Sequence, residues 1–280
     1  MEAPDEDRER DRPEGPIVNA RRLSWAGVEL EQDGQRLLID PFVEPDDMLR
    51  FVIAEDAEFL EPEGEGDVVA VLLTHLHRDH ADVGVIERQL GPGGRVLLPR
   101  QPQPDEFAEA GTAAQRAALE GADLELVEVD PGWSGEVGPF TIAATRASDA
   151  TGDEQVSWIV SAGGKTVLHA GDTMWHGSWW KTAKRHGPID VAFLPVNGAV
   201  INFPWTQPPA SAAPAVLTPE QAVDAAAALD AGVLVPIHYG DMHHDDFYRA
   251  HPDPEGAVTT AAAERGVEVA LTAPGGGVEL

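Results

Sequence analysis

Apolar residues in this chain fall into short runs of strand length more often than into helical stripes. "LSWAGVELE" and "QRLLIDPF" flank Asp33-Gly34. That dipeptide accepts the positive φ angles of a tight turn, so the two runs predict a hairpin. Residues 67–74, "DVVAVLLT", predict a buried strand that ends on a histidine-rich turn. "RVLLP" at 95–99, "LELVEV", "FTIAAT" and "VAFLPV" at 191–196 read as further strands, and "VSWIVSAGGKTVLHAGD" as a hairpin turning at Gly163-Gly164. Residues 104–120 are polar and alanine-rich and predict a helix. Thr218-Pro219-Glu220-Gln221 is a capping box with proline at the first helical position. It predicts a helix to about Ala231, ended by Gly232, with "VLVPIH" as the strand that follows. Asp253-Pro254 caps a last helix, and "VEVAL" at 267–271 reads as a last strand. Strands lead each half and helices follow, which suits packed sheets with helices outside, an α/β layered fold.

Two segments lack any period. Residues 1–16, "MEAPDEDRERDRPEGP", are almost wholly charged or proline and predict a disordered acidic tail before one folded unit over 17–280. Residues 198–216 carry four prolines and predict a lid or binding loop.

Composition narrows the chemistry. The 280 residues include no cysteine, which excludes disulfides, thiolate ligands and cysteine nucleophiles. A metal would have to sit on histidine and carboxylate. The net charge is −30, from 49 acidic and 19 basic residues, and such a surface repels phosphate backbones and anionic lipids. Nucleic acid is therefore a disfavoured partner. The acidic, lysine-poor composition resembles that of proteins from salt-loving organisms, where salt screens self-repulsion. A GC-rich genome gives the same bias. No apolar stretch is long enough to span a membrane, and the opening residues lack a secretory pattern, so the expected location is the cytoplasm.

The conspicuous stretch is "LLTHLHRDHAD". His75 and His77 are two apart at a strand end, so their imidazoles point the same way and can share one ion. Asp79 and His80 follow in the turn and face a second point nearby. Asp172, in "HAGDT", and His238, in "VPIHYG", also arrive at strand ends. A carboxylate at Asp172 can bridge two cations, and Gly171 lets the backbone come close.

With "THLHRDH", "GDT" and "PIHYG" in this order, the chain resembles the metallo-β-lactamase superfamily over about residues 17–280. Within it, "IDPF", "HAGDT", "FLPVNG", "LTPEQA" and "PIHYG" are most similar to the L-ascorbate-6-phosphate lactonase-like branch. The resemblance implies a four-layer αβ/βα sandwich with two divalent ions at one edge, zinc first, manganese or iron as alternatives. It implies that His75 and His77 hold one ion, that Asp79, His80 and His238 hold the other, and that Asp172 bridges them. It also implies homo-oligomers. A further family histidine on the first ion is missing: residues 145–153 read "TRASDATGD". Asp149 stands in its place, with Asp153 as the fallback, and an oxygen donor suits manganese or iron better than an imidazole does.

Other residues carry paired readings. His169 reads as a satisfied core or supporting histidine rather than a ligand. Trp175, Trp179 and Trp180 read as core aromatics or as the wall of a substrate pocket, with His176 turned to the metals as a proton donor. Lys181, Lys184 and Arg185 read as a helix C-terminus complementing its dipole, or as an anchor for a phosphate or carboxylate. His243 and His244 read as surface loop. The expected function is a metal-dependent hydrolase that turns a metal-activated hydroxide, oriented by Asp79, on a small ester, lactone or phosphoester. The alternatives are a phosphodiesterase or nuclease of the same superfamily, and a metal-binding module without turnover. A redox diiron centre has no flavin domain to accompany it.

Overall fold

The computed structural model describes residues 19–47, 49–63, 68–101, 110–203, 212–278 and 280. The acidic tail 1–16, the predicted helix start at 104 and the middle of the proline-rich loop lie outside them.

Asp33 and Gly34 take φ angles of 55° and 74°, as the turn requires. They join β2 (Val28–Gln32) to β3 (Gln35–Ile39), antiparallel with Val28 opposite Ile39. The "LSWA" segment is a tight turn instead of strand, closed by Leu23 N to Gly27 O at 2.8 Å. A strand the hydrophobic pattern did not predict, β1 (Asn19–Arg22), precedes it and pairs with β2. Its sequence, NARR, has no apolar alternation, because Arg22 is buried through hydrogen bonds to Tyr239 and to the Thr272 carbonyl.

β4 (Val68–Leu72), β5 (Gly94–Pro99) and β6 (Leu124–Val129) extend this sheet in parallel from β3, and β15 (Gly277–Val278) closes its other edge, in the order β15-β1-β2-β3-β4-β5-β6. The second sheet runs β13-β11-β10-β9-β8-β7. Its strands are β7 (Ser134–Val137), β8 (Phe140–Arg146), β9 (Val156–Ala162), β10 (Lys165–His169), β11 (Ile189–Pro195) and β13 (Ala231–Ile237). The hairpin at Gly163-Gly164 forms between β9 and β10. A small pair, β12 (Val200–Ile201) with β14 (Tyr248–Arg249), orders the start of the proline-rich loop, which is therefore not structureless throughout.

The alternation along each strand sorts side chains into layers. Leu37, Ile39, Ala70 and Leu72 of the first sheet meet Phe140, Ile142, Trp158, Phe193 and Val235 of the second in one buried cluster. Each phenylalanine-sized side chain buried there stabilises by about 1.5–3 kcal/mol. Leu38, Val71 and Leu73 point outward and are covered by Ile86 of α1 (Val83–Leu90) and Leu119 of α2 (Ala110–Gly121). Ala192, Leu194 and Leu234 point out on the other side, under α3 (Trp179–His186), α4 (Pro219–Leu229) and α5 (Pro254–Arg265). Helix, sheet, sheet and helix are thus the four layers expected.

Two boundaries differ from expectation. The Thr218–Gln221 capping box forms, but α4 ends at Leu229, with Asp230 left-handed at φ 52°. Ala231 and Gly232 already belong to β13, and a Cβ on Gly232 would lie 2.8 Å from the Asp190 carbonyl of neighbouring β11. "VEVAL" contributes one parallel bridge, Leu234 to Val269, rather than a strand. Pro274 and the glycines after it turn the chain to the first sheet, where Gly275 N meets the Arg22 carbonyl at 2.8 Å.

Candidate metal centre

Strands β3, β4, β8, β10 and β13 end at one rim, and the residues just past their ends converge. His75 and His80 are fully buried and their ring centroids are 4.2 Å apart; His75 and His77 are 4.4 Å apart. Asp172 reaches both halves of the second donor group, with Oδ1 3.1 Å from His80 Nε2 and Oδ2 2.8 Å from His238 Nε2. Asp79 Oδ2 lies 3.6 Å from His238 Nε2 and 3.7 Å from His80 Nε2. Asp79, His80, Asp172 and His238 therefore form one group that could hold a metal ion, and His75, His77 and Asp149 form another, each with donor atoms within 4.8 Å of one another. The distant side chains and the histidine motif are brought together.

Whether cations fit here is decided by the buried donors. His75 Nε2, His80 Nε2, both nitrogens of His238 and Asp172 Oδ1 are buried with no properly angled hydrogen bond. A buried polar atom left so costs about 1–3 kcal/mol, and the imidazole nitrogens of His75, His80 and His238 with Asp172 Oδ1 are donors of the kind that divalent cations satisfy.

Of the two aspartates offered for the absent histidine, Asp149 groups with His75 and His77. Its Oδ2 is 3.9 Å from His77 Nδ1, while its Oδ1 accepts from Thr151 N and Oγ1 and from Gly152 N, which fixes the carboxylate. Asp153 instead meets the opposite ring nitrogen, His77 Nε2, at 2.9 Å. Asp149 thus faces the side of His77 turned to His75, and Asp153 braces the ring from behind.

The electrostatics follow from burial and charge. Burial opposes a charge on His77, but Asp149 and the hydrogen bond to Asp153 outweigh it and raise the group to about 10. Burial likewise opposes a charge on His80, yet Asp172, Asp79 and Asp40 hold it well above the usual histidine range. His75 moves the other way, lowered by burial and by the two neighbouring imidazoles. Burial alone would raise Asp79 and Asp172, but the surrounding histidines hold both well below the usual carboxylate range. Protons on His77 and His80 here balance carboxylates that cations would otherwise balance.

Three supporting residues had no role in the sequence reading. Asp40, at the end of β3, is fully buried; its Oδ2 lies 2.8 Å from His80 Nδ1 and accepts from Thr74 Oγ1 at 2.5 Å. This carboxylate–histidine pair fixes which nitrogen His80 offers to the centre. Its signal was present as the acid of "IDPF" after an apolar strand. Trp25, at φ 53°, donates Nε1–H to Asp79 Oδ2 at 2.9 Å and lies 3.9 Å from the His238 ring. Nothing in its sequence context marks it. Gln155 Oε1 accepts from Asp172 N at 3.1 Å. Gly171, at φ 63°, is required: a Cβ there would lie 2.7 Å from Thr74 Cβ.

The other candidates separate. His169 has both nitrogens engaged, Nε2 with the Ala26 carbonyl at 2.7 Å and Nδ1 with Gly171 N at 3.2 Å, so it braces the Gly171–Asp172 turn. Trp179 is core, whereas Trp175 and Trp180 are 46% and 57% exposed. His176 stacks on Trp179 at 4.1 Å, accepts from Ser178 N at Nδ1, and is lowered by burial to about 4. It belongs to none of the donor groups among the described residues. His243 and His244 bond within their own turn, to Asp245 and Asp246.

Comparison with known proteins agrees with this geometry. Residues 35–239 match the model of the Beta-lactamase superfamily domain. A UPF0173 metal-dependent hydrolase of Lysinibacillus sphaericus is 27% identical over 76% of this chain and 81% of its own length, and one from Shouchella clausii is 26% identical over 88% and 95%. Among solved structures, Igni18, a metallo hydrolase of Ignicoccus hospitalis, superposes with a TM-score of 0.63 at 21% identity, covering 94% of this chain and 98% of that one. The diiron beta-hydroxylase CmlA of Streptomyces venezuelae gives 0.70 at 18% identity over 96% and 55%. Identities this low speak for the shared fold. With the matched domain spanning most of the described strands and both donor groups lying at their ends, the chain belongs to the beta-lactamase superfamily.

Proposed function

We propose that this metal-dependent hydrolase cleaves a small ester, lactone or phosphoester at a centre of two divalent cations. The observation that carries the reading is the convergence of buried imidazole nitrogens and carboxylate oxygens around Asp172. His75, His77 and Asp149 would hold one cation, Asp79, His80 and His238 the other, and Asp172 would face both. Bound there, the cations supply a water of lowered pKa and positive charge for the oxygen on which negative charge develops. Zinc fits the imidazoles, and the oxygen of Asp149 in place of an imidazole shifts preference toward manganese or iron.

The chain's own groups do the rest. Trp25 N–H fixes the position of Asp79 Oδ2, and His80 and His238 hold Asp79 ionised against its burial, so that it could orient the attacking water and take up its proton. Asp40 and Asp153 keep His80 and His77 from rotating. His176, neutral with Nδ1 accepting, carries its hydrogen on Nε2 and could offer it only as a hydrogen bond, so the proton for a leaving group would come from Asp79 once it has taken up the water's. The exposed Trp175 and Trp180 offer apolar contact to a small molecule. The likeness to the lactonase-like branch favours a cyclic ester among the candidates, and the net charge of −30 disfavours a nucleic acid.

A panel of p-nitrophenyl esters, lactones and bis-phosphate esters, run on metal-loaded protein, tests the reading. Turnover of an ester or lactone is expected. Turnover of the bis-phosphate esters alone would replace it with a phosphodiesterase, and metal binding without any turnover with a binding module.

A further inference from the structure

A cavity of about 250 Å³ opens between α3, the end of β8 and the turn at Pro131-Gly132. Arg146, Lys181 and Arg185 line it, with His186 beside them. Among the described residues, none of these three cations meets a carboxylate at ion-pair distance. Arg88, Arg95, Arg100 and Lys165 each do meet one, while Arg146, Lys181 and Arg185 are without one although they share a single cavity. Three positive side chains at one opening make a local positive field that an anion would meet.

A helix dipole does not account for it. The C-terminal end of α3 favours cations at Lys184, Arg185 and His186, but Lys181 sits near the start of the helix and Arg146 comes from a strand. Hydroxyls complete the lining. Ser178 makes no side-chain cap bond to α3. Thr145 Oγ1 and Thr182 Oγ1 are 3.0 Å apart, and whichever accepts in that pair still has its own proton to give. His186, lowered by burial and by Arg185, adds a neutral ring that can donate.

We propose that this cavity binds a phosphate-like dianion. A single carboxylate is saturated by one bidentate guanidinium, whereas two arginines and a lysine lining one cavity with hydroxyl donors match the charge and oxygen count of a phosphate, the Lys181 ammonium, now over the Trp180 ring, being free to swing to it. The cavity is linked to the metal centre through the chain. Arg146 lies three residues before Asp149, and the loop from Asp172 to Ser178 is tied to the Asp149 loop by Ser148 N to Thr173 Oγ1 at 2.9 Å and Met174 N to Ser148 O at 2.8 Å. The anion is therefore either the phosphate group of the substrate or a free phosphate beside it.

Calorimetric titration of the metal-loaded chain with inorganic phosphate at low ionic strength tests this. Arg146→Gln and Arg185→Gln should each weaken one binding class about tenfold or more, as loss of a charge-assisted hydrogen bond does. Lys184→Gln, on the same helix but outside the lining, should change it little. All three residues are exposed, so folding is not at issue. No such binding class, binding indifferent to Arg146→Gln and Arg185→Gln, or equal weakening by Lys184→Gln would each overturn the proposal. A second arm identifies the source. If Arg185→Gln raises KM for a phosphorylated ester but not for its neutral analogue, the anion belongs to the substrate. If both KM values hold while phosphate binding is lost, it is a free anion. The titration does not need turnover, so it stands apart from the hydrolase reading.

Discussion

The proposed ligand role of Asp149 rests on how its own turn holds it. Three hydrogen bonds from its own turn fix Oδ1, leaving Oδ2 toward His77 Nδ1. If the proposed two-cation centre holds, Asp149→Ala should leave about one cation per chain against two in the natural protein, measured by plasma mass spectrometry, and Asp149→His should restore the second. Two cations retained in Asp149→Ala would remove it from the ligand set. Asp40→Asn, which weakens the brace on His80, should lower affinity for the second cation about 10–100-fold by chelator competition. An unchanged affinity would make Asp40 a packing residue only. His176 gives a pH prediction. Its folded pKa of about 4 lies below the ordinary 6.5, so it favours the folded state fully above 6.5, and that contribution is lost as pH falls toward 4. Its ring resonances should not shift between pH 7.5 and 5; a midpoint near 6.5 would show an exposed imidazole. The histidine motif was legible because ligating residue types sit close in sequence. Trp25 was not, since its role exists only where the 23–27 turn meets Asp79 and His238.

Elements were most readable where period and turn chemistry agree. Asp33-Gly34, Gly163-Gly164 and the Thr218 capping box each set a local geometry that tertiary contacts did not change. β1 was hidden because a buried arginine replaced an apolar side chain, and "VEVAL" misled because a strand-like run met only one partner residue. Gly232 misled in another way: glycine usually ends helices, but here it lets β13 pass the Asp190 carbonyl. The Ala170–Asp172 turn after β10 depends on Gly171 by the same kind of close approach. Gly171→Ala places a side chain at φ 63° and against Thr74, and should destabilise by about 2–4 kcal/mol in urea unfolding. An unchanged midpoint would mean that the turn relaxes without cost.

At the scale of the molecule, two sheets close over one apolar layer while their strand ends deliver the donors to a single rim. The layered architecture was readable from the alternation of strands and helices. The meeting of Asp172 and His238 with the histidine motif was only inferable, since no local pattern encodes contacts across 160 residues. Among the described residues, no helix is long and apolar enough to cross a membrane. The charge of −30 predicts a melting temperature that rises from low to molar KCl as self-repulsion is screened; a flat or falling curve would contradict that. The proposed centre requires Asp172 to stand between two cations. Metal content of the purified chain, read beside that of Asp172→Asn, tests this most directly. The natural protein should carry about two divalent ions and the variant should lose both or nearly so; full retention by the variant, or a natural protein that takes up no metal, would contradict it.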